Sequence, residues 1–125
     1  MGITSTLHPN GIAEVVMDNP PVNALNVAGW FELATIVRGL GEQADVRVVV
    51  LRAEGKGFNA GIDIKEMQAH PERITILNRG NYLTFKAIRD AEVPVVSAVH
   101  KFVIGGGIGI CGASDTIIAA DDAYF

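Results

Sequence analysis

Two glycine-rich stretches hold the residues best suited to chemistry. One is Ala53-Glu54-Gly55-Lys56-Gly57-Phe58-Asn59-Ala60-Gly61-Ile62-Asp63, and the other runs from His100 to Gly107. Glycine has no side chain to keep a ligand away from the main chain. A helix starting near Gly106 would add its positive dipole end. Two main-chain N–H groups aimed at one carbonyl oxygen stabilise the negative charge that develops there, an effect of ~3 kcal/mol per donor. The two loops therefore have the makings of an oxyanion hole. The same glycines also suit tight turns and close helix packing, and on residue types alone that reading stays open.

Other catalytic signatures fit less well. Gly107, Gly109 and Gly112 match G-x-G-x-x-G, but the match does not directly follow a strand, and the acidic residue expected ~20 positions on would fall past Phe125. A dinucleotide-binding oxidoreductase is thus the weaker alternative. The phosphate-loop pattern G-x-x-x-x-G-K-[ST] is absent, and Gly112-Ala113-Ser114-Asp115-Thr116 lacks the last glycine of a nucleophile elbow. His8, His70 and His100 are far apart and lack the carboxylate or cysteine spacing of a metal site, so no metal is expected. Only His100 lies near the candidate loops, where it reads as an incidental loop histidine. Cys111 sits in an apolar glycine-rich stretch and serves there as a small hydrophobe.

The elements that must position these loops follow from hydrophobic period. Thr4 to Leu7 and Ile12 to Met17 read as short strands joined by a Pro9-Asn10-Gly11 turn, an antiparallel hairpin. Val27, Trp30, Phe31, Ala34 and Val37 recur at helical spacing, so a helix is expected from Val27 to Leu40, ending near Gly39 and Gly41. Val46 to Leu51, Val95 to Val99 and Thr116 to Ala120 are apolar runs of the kind found in parallel strands covered on both faces. A helix from about Glu72 to Asp90 separates the first two, with Ile74, Leu77, Phe85 and Ile88 on one stripe and Asn81 interrupting it. A short helix separates the last two. Strand and helix alternation implies an α/β chain with right-handed crossovers over a largely parallel sheet. Both glycine loops then leave the carboxyl ends of parallel strands, where ligands bind in open α/β sheets.

Composition narrows the partners. The chain has 125 residues, 49% hydrophobic and 19% charged, which predicts one globular domain over residues 1–125. Its net charge of −4 and its 10 scattered basic residues argue against a nucleic-acid surface. The apolar run Phe102 to Ala113 spans 12 residues, short of the ~20 a membrane helix needs. Met1 to Asn10 has neither the basic start nor the apolar block of a secretory signal, and a cytoplasmic location without membrane contact is expected.

Three motifs in order carry a resemblance. Asn19-Pro20-Pro21-Val22-Asn23-Ala24-Leu25, Gly57-Phe58-Asn59-Ala60-Gly61-Ile62-Asp63-Ile64-Lys65-Glu66-Met67 and Gly105-Gly106-Gly107 resemble the crotonase superfamily of enoyl-CoA hydratases and isomerases over nearly the whole chain. The resemblance implies a spiral of ββα turns, of which this chain is the N-terminal half, incomplete at its C-terminus. It also implies a homotrimer or hexamer. It implies an acyl-CoA substrate, with coenzyme A entering as part of that substrate and no tightly bound cofactor. Backbone N–H groups of Ile62 and Gly106 would form the oxyanion hole, and Ala24, Ala60, Ile62, Asp63, Ile64 and Lys65 would lie along the CoA. On physical grounds Lys56 and Lys65 suit its phosphates, and Asp63, directly after a donor, is the best available carboxylate.

The sequence also departs from that pattern. Family hydratases carry a glutamate three residues after the oxyanion glycine, where this chain has Gly109, and their second glutamate would fall after Phe125. Gly109 is expected to leave space beside the hole for a bulky acyl group. Lys101 stands where a glycine is common, and an altered turn is expected there. The motifs look most like an actinobacterial branch that includes a CoA-dependent hydrolase of steroid-derived rings. The expected activity is hydrolytic C–C cleavage of a cyclic keto acyl-CoA, with an ordinary enoyl-CoA hydratase of β-oxidation or a non-catalytic acyl-CoA binding module as alternatives.

Overall fold

The computed structural model describes residues 2–125; Met1, the first residue of the expected domain, lies outside the described residues. Five strands form one sheet: β1 (Gly2–Leu7), β2 (Ile12–Asp18), β3 (Val48–Ala53), β4 (Val95–Val99) and β5 (Thr116–Ala119), paired in that order. β1 and β2 make the expected antiparallel hairpin, while β2–β3, β3–β4 and β4–β5 are parallel. Four α-helices fill the crossovers: α1 (Val27–Glu42), α2 (Ile64–Ala69), α3 (Ile74–Asp90) and α4 (Gly106–Ala113).

Several boundaries moved for identifiable reasons. α1 runs through Gly39 and Gly41 to Glu42, because Gly41 is buried against α3's exit, where an added Cβ would come within 3.0 Å of Ala91. β3 starts at Val48, two residues later than its apolar run, although Val46 is buried in the core. α3 starts at Ile74 after a 3₁₀ turn at Pro71–Arg73. Ile74 is exposed and does not belong to the packed stripe. That stripe is Leu77, Gly80, Thr84, Ala87 and Ile88.

The core lies between one face of the sheet and α1 with α3. Ala13, Val15, Met17, Val49, Leu51, Val95 and Val99 point into it and meet Trp30, Leu33, Val37, Leu77 and Ile88. The described residues supply the expected cover of the parallel strands on one face only. Val48, Val50, Val96 and Ala98 on the other face are only half-buried, and every residue of β5 is exposed, Ile118 by 61%. The apolar runs are continuous in sequence, yet within the described residues only alternate side chains of β3 and β4, and none of β5, find cover.

Candidate active site

The two glycine loops touch. Gly61 has φ +90, and a Cβ there would fall 3.1 Å from the Gly106 nitrogen and 3.2 Å from the Ile104 carbonyl oxygen. Leu25 and Ile62 form a parallel bridge in which Leu25 N–H donates to Gly61 O (2.9 Å) and Asp63 N–H donates to Leu25 O (2.9 Å). This alternation turns the N–H of Ile62 away from Leu25. Gly105 has φ +57 and ψ −119, backbone open only to glycine, and it precedes Gly106 as the first residue of α4. Gly107 N–H donates to Ile104 O and Ile108 N–H to Gly105 O, both at 3.0 Å. Among the described residues, the Ile62 and Gly106 N–H groups donate to no protein atom.

Two buried asparagines hold this geometry. Asn23 Nδ2 donates to Glu54 O (2.7 Å) and Gly57 O (2.9 Å), and Asn23 Oδ1 accepts from Asn19 N–H at 2.7 Å. Asn59, fully buried, donates through Nδ2 to Asn23 O (2.7 Å), accepts Gly61 N–H on Oδ1 (2.7 Å) and accepts Ile104 N–H on its main-chain oxygen (3.0 Å). Asn59 thus ties the first two resembling motifs to each other and to Ile104, the residue just before the third. A buried polar group left without its partner costs about 1–3 kcal/mol, so satisfied amides of this kind fix one arrangement of the loops. His100 Nε2 lies 2.9 Å from Gly55 O and links the loops again, beside the backbone pair Phe58 N–H to His100 O at 3.0 Å.

The remaining residues suggested by sequence lie as follows. Ala24 and Ala60 are half-buried along the same edge, with Ala60 N–H donating to Val22 O at 3.1 Å. Ile64 and Lys65 open α2 and are exposed, as is Lys56 in the loop after β3. Lys56 and Lys65 take part in no ion pair among the described residues. Asp63 caps α2: its Oδ1 accepts from Lys65 N–H (3.0 Å) and Glu66 N–H (3.3 Å). Its carboxylate therefore satisfies helix-start donors.

Three features were not legible as site features. Glu66 joins α2 to the start of α1, accepting Val27 N–H (2.8 Å) on one oxygen and Arg73 (2.9 Å) on the other. Its place three residues after Asp63, as in a capping box, was the available signal. Phe85 corrects the reading of Gly109. A Cβ on Gly109 would meet the tip of the Phe85 ring, with Cε1 only 2.7 Å away, so the expected space is filled. Lys101 keeps the glycine-type turn instead of altering it: its φ is +54, and it is anchored by Lys101 Nζ to Asp122 Oδ2 (3.0 Å) and Tyr124 N–H to Lys101 O (2.8 Å). Burial pushes the Cys111 thiol up to about 11, so it stays protonated. Among the described residues no group of three or more His, Cys, Asp or Glu side chains could hold a metal ion.

Comparison with known proteins places the chain among relatives of known sequence and fold. A hydrolase of (7aS)-7a-methyl-1,5-dioxo-2,3,5,6,7,7a-hexahydro-1H-indene-carboxyl-CoA from Rhodococcus jostii is 54% identical over 127 residues, covering 100% of this chain and 49% of that protein. The enzyme of the same name from Mycobacterium tuberculosis is 52% identical, covering 100% of this chain and 51% of its own length. The chain thus spans about half the length of the curated relatives it matches. The crystal structure of an enoyl-CoA hydratase from Mycobacterium smegmatis superposes with a TM-score of 0.90 at 32% identity, over 97% of this chain and 48% of that one. The α/β, crotonase-like architecture expected from sequence is therefore present. Residues 8–125 match the enoyl-CoA hydratase/isomerase family, and the chain belongs to it.

Proposed function

We propose that this chain forms the oxyanion-hole half of an enzyme that hydrolyses a C–C bond in a cyclic keto acyl-CoA, as in steroid catabolism. The observation that carries the reading is the pair of unpartnered N–H groups, Ile62 and Gly106, held on touching loops by Asn59. The thioester carbonyl oxygen accepts from both. Water adds to a ring ketone, the bond between that carbon and the α-carbon breaks, and the electron pair passes into the thioester as an enolate. The two donors stabilise the enolate oxygen, and a proton then returns to the α-carbon. Water activation is assigned to no residue of this chain. The names of the relatives from Rhodococcus jostii and Mycobacterium tuberculosis support the substrate class.

Ala24, Ala60 and the segment Ile62 to Lys65 would line the CoA, with Lys56 and Lys65 as free cations for its phosphates. The same reading takes residues 1–125 as one crotonase-like domain that continues in a further half, and the assembly as a trimer or pair of trimers. The half-covered sheet face supports both. A cytoplasmic location belongs to it as well; no helix among the described residues is long and apolar enough to cross a membrane.

The test is to give the full-length enzyme a cyclic keto acyl-CoA and crotonyl-CoA, following product mass for the first and enoyl absorbance for the second. A product one water heavier from the ring substrate, with weak crotonyl-CoA hydration, is the expected result. Fast crotonyl-CoA hydration without ring opening would replace the proposal with an ordinary hydratase. Binding without turnover of either would favour an acyl-CoA binding module.

A further inference from the structure

The start of α4 has almost no side chains, with glycine at 105, 106, 107 and 109, and at 106 and 109 the missing volume is supplied by two rings from other helices. Trp30 of α1 is wholly buried, and its Cη2 and Cζ2 atoms lie 2.6 Å from where a Cβ on Gly106 would stand. Phe85 of α3 covers Gly109 in the same way, with Cε1 at 2.7 Å and Cε2 at 3.0 Å from the Cβ position. The two rings meet edge to face, centroids 6.1 Å apart and planes at 75°. Phe85 is only half-buried, so it stands at the margin of the core, against Gly109 three residues along α4 from the proposed oxyanion donor Gly106.

We propose that Phe85 is a specificity-determining residue for the acyl end of the site. Its ring takes the space that a side chain at 109 and any water held by it would need, and it presents an apolar face there instead. A flat, bulky acyl ring gains area against that face. A short enoyl group gains little, and finds no group on that side to orient water. Phe85 thus selects for cyclic acyl groups and against hydration, acting together with Gly109 as one steric unit. The inference rests on the acyl-CoA reading above.

The experiment uses the full-length enzyme with Phe85→Ala, Phe85→Leu, Gly109→Ala and the double variant Phe85→Ala/Gly109→Ala, each checked by thermal melting. Phe85→Ala should raise KM for the cyclic keto acyl-CoA about tenfold, in the range that lost pocket contacts produce. The Kd of acetyl-CoA, whose acyl group stops at the oxyanion donors, should change less than about twofold. Phe85→Leu should give a smaller shift in the same direction and covers the case in which the alanine variant does not fold. Gly109→Ala should lower turnover of the ring substrate, and removing the Phe85 ring should restore part of it, a non-additive result expected of residues in contact. Additive losses, or equal losses for acetyl-CoA and the ring substrate, in an enzyme that otherwise turns over the ring substrate would overturn this inference alone. A wild-type enzyme that binds no acyl-CoA would overturn the reading beneath it as well.

Discussion

Gly61→Ala is the sharpest perturbation of the site, because one methyl group addresses both loops. The new Cβ would stand 3.1 Å from Gly106 N, 3.2 Å from Ile104 O and 3.5 Å from Gly105 Cα. All three are backbone atoms, so no side chain can swing aside. Gly61 also has φ +90, where an L-residue is strained by about 1–3 kcal/mol. The least costly response is for the Gly106 loop to back away by a few tenths of an ångström, which misaims one donor. Loss of one oxyanion donor is worth ~2.7–4 kcal/mol, or ~10²–10³ in kcat. The expected phenotype is therefore a kcat on the ring substrate reduced at least ~10²-fold, with free CoA binding nearly unchanged. Melting should fall by a few degrees, since each kcal/mol shifts a protein of about 150–250 residues by ~2–4 °C. Gly112→Ala is the matched control: it makes the same chemical change in α4, where a Cβ meets nothing within 4 Å. That control should keep full activity. A folded Gly61→Ala enzyme with kcat within about threefold of wild type would refute the oxyanion assignment.

Other expectations follow from the same geometry. Cys111→Ala should leave kcat within about twofold, and iodoacetamide at neutral pH should leave the native enzyme active, because a buried thiol pushed up to about 11 is no nucleophile; inactivation would reveal a missed catalytic thiol. The hydrogen bond from Arg52, with His8 beside it, holds the Glu14 carboxyl below its ordinary value of 4.5, so its stabilisation is present above that value and lost as pH falls through the lower folded one. Glu14→Gln should accordingly flatten the acid limb of melting temperature against pH below about pH 4.5, and parallel limbs would refute the linkage. Lys101→Val should cost about 1–3 kcal/mol at a φ of +54, whereas Lys101→Gly should be near neutral, relief of strain offsetting the exposed Asp122 pair. Equal melting temperatures for the two would mean the turn does not depend on positive φ.

The elements were legible where periodicity is long and one-sided. α1 and α3 announce themselves through Trp30, Ala34, Val37 and Leu77, Ile88, and the hairpin through Pro9-Asn10-Gly11. α2 was not, since six residues with none buried leave no apolar stripe to read. In the site, glycine spacing and motif order pointed to two loops that the structure brings into contact, because both follow from backbone needs that residue types record. What sequence could not record was contact across elements. Phe85 and Gly109 lie on different helices, and nothing in either one's neighbours reveals that a ring fills a gap on another element. The reading of open space at Gly109 failed for that reason. Asn23 and Asn59 had no role assigned from sequence beyond membership of the motifs, yet their amides are the fasteners of the loops.

The Asn59 hub has a consequence for hydrogen exchange. It spans three segments, bonding to residues 23, 61 and 104, so no single loop can open without parting from the other two. The Gly61 and Ile104 amides should therefore exchange only through the largest, most cooperative openings of the fold. Ile62 and Gly106 stand on the same rigid frame but donate to nothing in the described chain. Their protons should be lost to solvent early, Ile62 directly after the slowly exchanging Gly61 and Gly106 two residues after the slowly exchanging Ile104, and should become protected when a thioester oxygen arrives to accept them.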